Sequence, residues 1–265
     1  MRRITKFYRA EMDVSSLTMH LSLERTMLDG ATVALIPGDP GRVPRMARQL
    51  QNARELAHHR EFRSYAGVLD SRPVVVCSTG IGGPSTAICI EELAQLGIRT
   101  FLRVGTTGTI QPHIAVGDLI ISQAAVRLEG TSQHFAPIEY PAVADHAVTN
   151  ALIAAAAAEG LTPHLGITVT SDTFYPGQER YDTYTGRILP RFHGAIDHWR
   201  QLGALNFEME AATVFVVARS MGLKAGCVLG VVANRTESEQ ISRHQVEETE
   251  ARAIRVALRA AVASS

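Results

Sequence analysis

Short apolar, β-branched runs alternate along this chain with longer segments whose apolar positions recur at helical spacing. The strand-like runs are Thr32 to Ile36, Pro73 to Cys77, Thr100 to Val104, Asp118 to Ser122, Gly166 to Thr170 and Gly226 to Val232. Between and after them the pattern predicts helices at Val43 to Leu50, Ser85 to Leu96, Val148 to Glu159, Pro190 to Leu202, Met209 to Met221 and Gln245 to Val262. Alternation of this kind predicts an α/β fold, a largely parallel central sheet flanked by helices. Phe62 to Leu69 and Pro73 to Cys77 flank Asp70-Ser71-Arg72, which reads as a hairpin loop and makes the sheet mixed. In the last helix Val246, Ile254, Leu258 and Val262 form one apolar stripe with Ala257 and Ala261, as expected of a helix docked on the core. No repeat or linker interrupts the pattern, so a single domain is expected.

Composition narrows the function more than it defines it. The chain has 265 residues, enough for one large core. Its 26 basic and 26 acidic side chains cancel, leaving no global field to hold nucleic acid or an anionic membrane surface. Cys77, Cys89 and Cys227 share no CxxC spacing and suit a reducing cytosol. His58-His59 is a tandem, not the HExxH pair that places two zinc ligands on one helix face. Lys6, Arg9, Glu11 and Asp13 interrupt any leader-like apolar stretch near the start, so a cytoplasmic protein is expected.

Candidate chemistry concentrates in Ser171 to Asp182, where Phe174, Gln178 and Arg180 surround a Pro-Gly turn. An aromatic ring can stack on a flat heterocycle, an amide can pair with an imide edge, and a guanidinium can polarise a carbonyl. Taken alone the segment is equally well an ordinary surface loop. Three glycine-bearing turns each follow a candidate strand: Pro37 to Arg42, Gly80 to Ser85 and Arg103 to Gly108. In open α/β sheets such turns converge beyond the carboxyl ends of the strands. Gly38 with Arg42, and Arg103 with Thr106, suit an anion, although glycine also serves tight turns for purely steric reasons.

Two other motifs are approached and missed. Gly80-Ile81-Gly82-Gly83-Pro84-Ser85 lacks the third glycine of a dinucleotide fingerprint, and the next strand ends in Arg103 where a ribose-binding acid is required. Gly83-Pro84-Ser85-Thr86-Ala87 lacks the closing glycine of a nucleophile elbow. Asn206-Phe207-Glu208-Met209-Glu210-Ala211 sets two carboxylates two apart where a short strand enters a helix. They fit either a ribose diol or the positive end of a helix dipole.

Together these residues resemble the nucleoside phosphorylase superfamily, in its pyrimidine branch. The similarity runs from about His20 to the C-terminal helix and includes the signature Ser78-Thr79-Gly80-Ile81-Gly82-Gly83-Pro84-Ser85-Thr86-Ala87-Ile88 followed by Glu92-Leu93. The Ser171 to Asp182 block points to the uracil branch. The resemblance implies a nucleoside phosphorylase domain over 19–265, preceded by an extension over 1–18 that is either disordered or partly untranslated, with Met12 as the start. It places phosphate on Gly38, Arg42, Arg103 and Thr106, with Arg60 reaching in from a neighbouring subunit. Ribose would lie against Met209 and Glu210, with the neighbour's His20 at its 5′ end. Uracil would stack near Phe174 and be read by Gln178, Arg180 and Arg235. A monovalent cation, K+, would sit at the subunit interface on Glu61, Ile81 and Ser85, and the assembly would be a hexamer of three dimers. Met19 replaces a frequent aromatic and Gly41 a frequent acid. The purine branch carries an aspartate that protonates N7, whereas Asn234-Arg235-Thr236-Glu237 offers none.

The implied reaction is reversible phosphorolysis of uridine to uracil and ribose 1-phosphate, with Arg103, Gln178 and Arg180 as catalytic residues, phosphate as co-substrate and no organic cofactor. Its rivals are a nucleosidase of the same fold that uses water and a non-enzymatic nucleoside sensor. Arg42, Arg60 and Arg103 would crowd positive charge on one face of a pocket, an arrangement expected to demand an anion.

Overall fold

Residues 17–236 and 243–263 are described by the computed structural model. The expected extension up to residue 16, the alternative start at Met12, and Glu237 of the late motif therefore lie outside the described residues. Thr18 is already packed into the body, where its amide donates to the Leu23 carbonyl and its hydroxyl accepts from the Leu23 amide.

The strands, in chain order, are β1 (Val33–Pro37), β2 (Gln51–His59), β3 (Phe62–Leu69), β4 (Arg72–Cys77), β5 (Thr100–Thr109), β6 (Leu119–Leu128), β7 (Ala142–Val143), β8 (His164–Ser171), β9 (Ala204–Glu208) and β10 (Lys224–Asn234). The helices are α1 (Arg42–Ala47), α2 (Gly83–Leu96), α3 (His146–Ala158), α4 (Ala195–Gln201), α5 (Ala211–Ser220) and α6 (Arg243–Ala263). Parallel pairing joins β4, β1, β5 and β10 in one group and β6, β8 and β9 in another. The two groups meet antiparallel twice, at β10 with β6 and at β5 with β9. That double contact closes β5, β10, β6, β8 and β9 into a barrel-like ring, while β1, β4, β3 and β2 continue outward as an open sheet. The single mixed α/β sheet expected from the alternation is present, but it is partly closed rather than open.

Closure explains why the central strands outrun their predicted ends. β5 and β10 share a long parallel ladder from Lys224 opposite Thr100 to Asn234 opposite Thr109, with a bulge between Val231 and Ala233. Arg103 to Gly108, read above as a turn, is therefore strand. Glycines there weaken strand propensity but admit neighbours: a Cβ on Gly105 would lie 2.7 Å from the Leu229 side chain.

Other boundaries shift for local reasons. Asp70 and Ser71 both have positive φ, 45° and 65°, as a two-residue primed hairpin turn requires, so Arg72 opens β4 instead of closing the loop. The predicted Pro190–Leu202 helix is broken by Gly194 at φ 73° into a single turn, Pro190–Phe192, and α4. α1 stops at Ala47, and the chain reaches Leu50 through turns. β2 has no sequence expectation, because Arg54, Glu55 and His58 on a charged, exposed edge mask its period; edge strands carry charge for solubility.

Two apolar layers enclose the sheet. α2 and α5 bury Ile90, Leu93, Phe215 and Val217 on one face, and α1, α3 and α6 bury Met46, Leu152, Ala257 and Leu258 on the other. Each large side chain so removed from water contributes roughly 1.5–3 kcal/mol. α5 is buried all round from Ala211 to Ala218, which is why its sequence shows no polar stripe. No helix among the described residues is long and apolar enough to cross a membrane.

Candidate active site

A cavity of about 670 Å³ opens where β1, β4, β5, β8, β9 and β10 present their ends and edges. Its walls bring together Gly38, Arg42, Arg103 and Thr106, then Phe174, Gln178 and Arg180, then Met209 and Glu210, and at its mouth Glu61, Ile81 and Ser85. Residues spread from Gly38 to Glu210 in the chain thus line one cavity.

The anion corner depends on two backbones that nearly touch. A Cβ on Gly38 would lie 3.2 Å from the Gly80 carbonyl, and Gly80, at φ 71°, would drive a Cβ to 2.6 Å from the Glu61 side chain. Only glycine lets the turns after β1 and β4 close on the same space. Arg42 opens α1 and is buried; its Nη1 donates to the Val104 carbonyl at 3.1 Å and its Nη2 to Glu250 at 2.6 Å. Arg103 extends from β5 between two carboxylates, with Nε 3.0 Å from Glu208 and Nη2 against Glu210. Burial opposes its charge, but Glu210 and Glu208 outweigh burial and hold the guanidinium above its ordinary range. The expectation of unpaired cations is thereby corrected: both buried arginines already have carboxylate partners, and the corner is balanced.

Glu208, whose sequence context fits either a ribose diol or a helix dipole, is the keystone of this corner. Its Oε1 accepts from the Thr170 hydroxyl at 2.5 Å; its Oε2 accepts from Arg103 and from the Glu210 and Ala211 amides, both at 2.8 Å. It therefore caps α5 and fixes Arg103 at once, uniting the dipole reading with a site reading. Glu210 accepts the Gly82 amide at 2.6 Å. Burial pushes its carboxyl above the ordinary range, against the pull of Arg103.

The base corner rests on the turn Pro176–Gln178. Gly177 is wedged against Ser171, whose hydroxyl would be 2.2 Å from an added Cβ, and its amide donates to Thr173 at 2.8 Å. Glu179, at φ 53°, ties the segment to α4 by accepting the Gly194 and Ile196 amides at 2.5 and 2.8 Å. So anchored, Gln178 is buried at the cavity wall, and the Arg180 guanidinium lies 4.1 Å over the Phe174 ring. Arg235 sits behind, 5.8 Å over Phe207. Burial, then the charge of Arg180, pulls Arg235 down to about 10, which leaves it cationic at neutral pH.

His20 and Arg60 stand apart from this cavity. His20 lies in a separate cleft with Glu92 and Phe135, its Nδ1 2.6 Å from Glu92, and Arg60 is exposed at the tip of the β2–β3 hairpin with φ 56°. Glu61, Ile81 and Ser85 do converge, offering a carboxylate, a carbonyl and a hydroxyl, all hard oxygen donors. No cluster of three or more His, Cys, Asp or Glu side chains suited to a metal occurs among the described residues. Thr107, Phe207, Val232 and Ala233 also line the cavity, though none is among the expected ligand-binding residues. Phe207 was within the Asn206–Ala211 motif, while the others carry no distinctive chemistry and are brought in by the extension of β5 and β10.

The family model described as the phosphorylase superfamily matches residues 32–264, and the chain belongs to that superfamily. It is 54% identical over 244 residues to a uridine phosphorylase of Haemophilus influenzae, covering 92% of this chain and 97% of that protein. The same identity over 242 residues relates it to a uridine phosphorylase of Escherichia coli, covering 91% and 96%. A guanosine phosphorylase of Halorubrum lacusprofundi is 37% identical over 251 residues, covering 92% and 98%.

Proposed function

We propose that this chain catalyses the reversible phosphorolysis of uridine to uracil and ribose 1-phosphate. The observation that carries the reading is the single cavity that Arg42, Arg103 and Thr106 line together with Gln178, Arg180, Met209 and Glu210. Phosphate held by the arginines attacks C1′ as the bond to N1 breaks and the sugar becomes oxocarbenium-like. The Glu210 carboxylate holds the ribose hydroxyls, and the departing uracil anion is stabilised at its oxygens by Gln178 and Arg180. No side-chain nucleophile takes part. Burial pushes the nearby Cys227 thiol up to about 12, so it stays neutral at working pH.

Arg60 and His20 complete a neighbour's site in this reading, which is why neither lines the cavity of its own chain, and the assembly is a hexamer of three dimers. Exposed Ile81 at the cavity mouth and Met19 beside His20 suit burial in that contact. Glu61, Ile81 and Ser85 hold K+ there. Three free, buried cysteines suit a cytoplasmic setting. Chromatography of uridine turnover tests the reaction: ribose 1-phosphate should form in step with uracil, and uracil plus ribose 1-phosphate should return uridine. Free ribose released without phosphate would establish the nucleosidase instead; binding without turnover would leave a sensor.

A further inference from the structure

We infer that Glu250, on α6 and outside the cavity, is a positioning residue that sets Arg42 for phosphate. The inference rests on the reading of Arg42 as a phosphate ligand. Arg42 uses two of its three nitrogens inside the protein, Nη1 on the Val104 carbonyl and Nη2 on Glu250. Its Nε is buried and has no hydrogen-bond partner among the described residues. A guanidinium is planar, so holding its far edge fixes where the remaining N–H groups point. Glu250 supplies that hold from 208 positions further along the chain, with both side chains only 8% exposed.

Glu250 is itself fixed from two sides. Thr249 next to it packs so tightly on β10 that a Cβ on Gly230 would lie 2.6 Å from its methyl group, and Ala253, Ile254 and Ala257 anchor the next turns. Its second oxygen lies 2.7 Å from Arg45, a charge contact without hydrogen-bond alignment. Arg45 also approaches Asp39 at 3.9 Å, and Asp39 accepts the Gly41 amide at 2.8 Å. One buried carboxylate thus joins the C-terminal helix to the turn that forms the anion corner, and to the arginine that opens it. A counter-ion that merely neutralised Arg42 would need no such rigid mounting.

The test is a double-mutant cycle read on phosphate. Glu250→Gln keeps the shape but removes the charge, and should raise the phosphate KM about tenfold while leaving the uridine KM within about twofold. In an Arg42→Ala background the same substitution should change phosphate KM less than about twofold, because its effect passes through Arg42. Glu250→Asp, which keeps the charge but withdraws it, should fall between wild type and Glu250→Gln, and it carries the test if Glu250→Gln fails to fold by circular dichroism. An unchanged phosphate KM in the folded Glu250 variants, or an equal rise in both backgrounds, overturns the positioning role while Arg42→Ala still shows a raised KM. If Arg42→Ala leaves phosphate KM unchanged, the phosphate reading of Arg42 fails and takes this role with it.

Discussion

Arg103 shows how one side chain ties stability to function in this protein. On the proposed reading its alanine variant would lose a charge-assisted contact to phosphate worth roughly 1.5–3 kcal/mol. It would also strand Glu208 and Glu210, and breaking a buried pair costs about 3–5 kcal/mol of stability. Arg103→Lys separates the two effects, because it keeps the charge but loses the planar fork. The expected result is a melting temperature much nearer wild type than that of Arg103→Ala, with phosphorolysis still reduced at least about tenfold; undiminished turnover in Arg103→Lys would refute the phosphate assignment. The base corner gives a second prediction. A site shaped to read an imide edge does not match the edge that a purine presents, so on the proposed reading inosine should turn over at least about 100-fold more slowly than uridine.

Elements in this fold are held to one another by pairs that their own sequences do not announce. Glu159, at the end of α3, receives Arg255 at 3.0 Å and Arg259 at 3.0 Å from α6. Hydrogen bonds from Arg255 and then Arg259 hold its carboxyl below the ordinary value of 4.5. A carboxylate with a depressed pKa binds its proton less readily when folded, so its contribution is fully present above about 4.5 and is lost as pH falls through the folded value. The pair is near the surface and should be worth about 0.5–1 kcal/mol. Glu159→Gln should accordingly lower the melting temperature by about 1–4 °C at pH 7, with the difference from wild type shrinking toward pH 3. A pH-independent difference would assign the loss to packing. At the same scale, α3 was legible because its apolar positions recur at helical spacing, although Asp145, capping it through the Ala147 and Val148 amides at 3.0 and 3.1 Å, starts it earlier than that pattern did; the end of β5 was not legible, because glycine and threonine look like a turn until β10 pairs with them.

At the scale of the whole molecule the separation of His20 and Arg60 from the cavity carries its own prediction. Subunits bearing His20→Ala mixed with subunits bearing Arg103→Lys should regain activity, because one subunit lends its intact His20 to the other's intact Arg103. No recovery after verified subunit exchange would count against shared sites. The sequence by itself determined the α/β class, the six principal helical segments in outline and many of the residues that line the cavity, because apolar period and turn chemistry are local and because Gln178, Arg180 and the Glu208–Glu210 pair carry distinctive groups. It did not determine that the sheet closes on itself, since closure depends on β5 meeting both β9 and β10 across long stretches of chain. Nor did it determine the charge state of the anion corner. Which carboxylate meets which arginine is a matter of distance between elements up to 208 positions apart, and only packing brings Glu250 to Arg42 and Glu208 to Arg103.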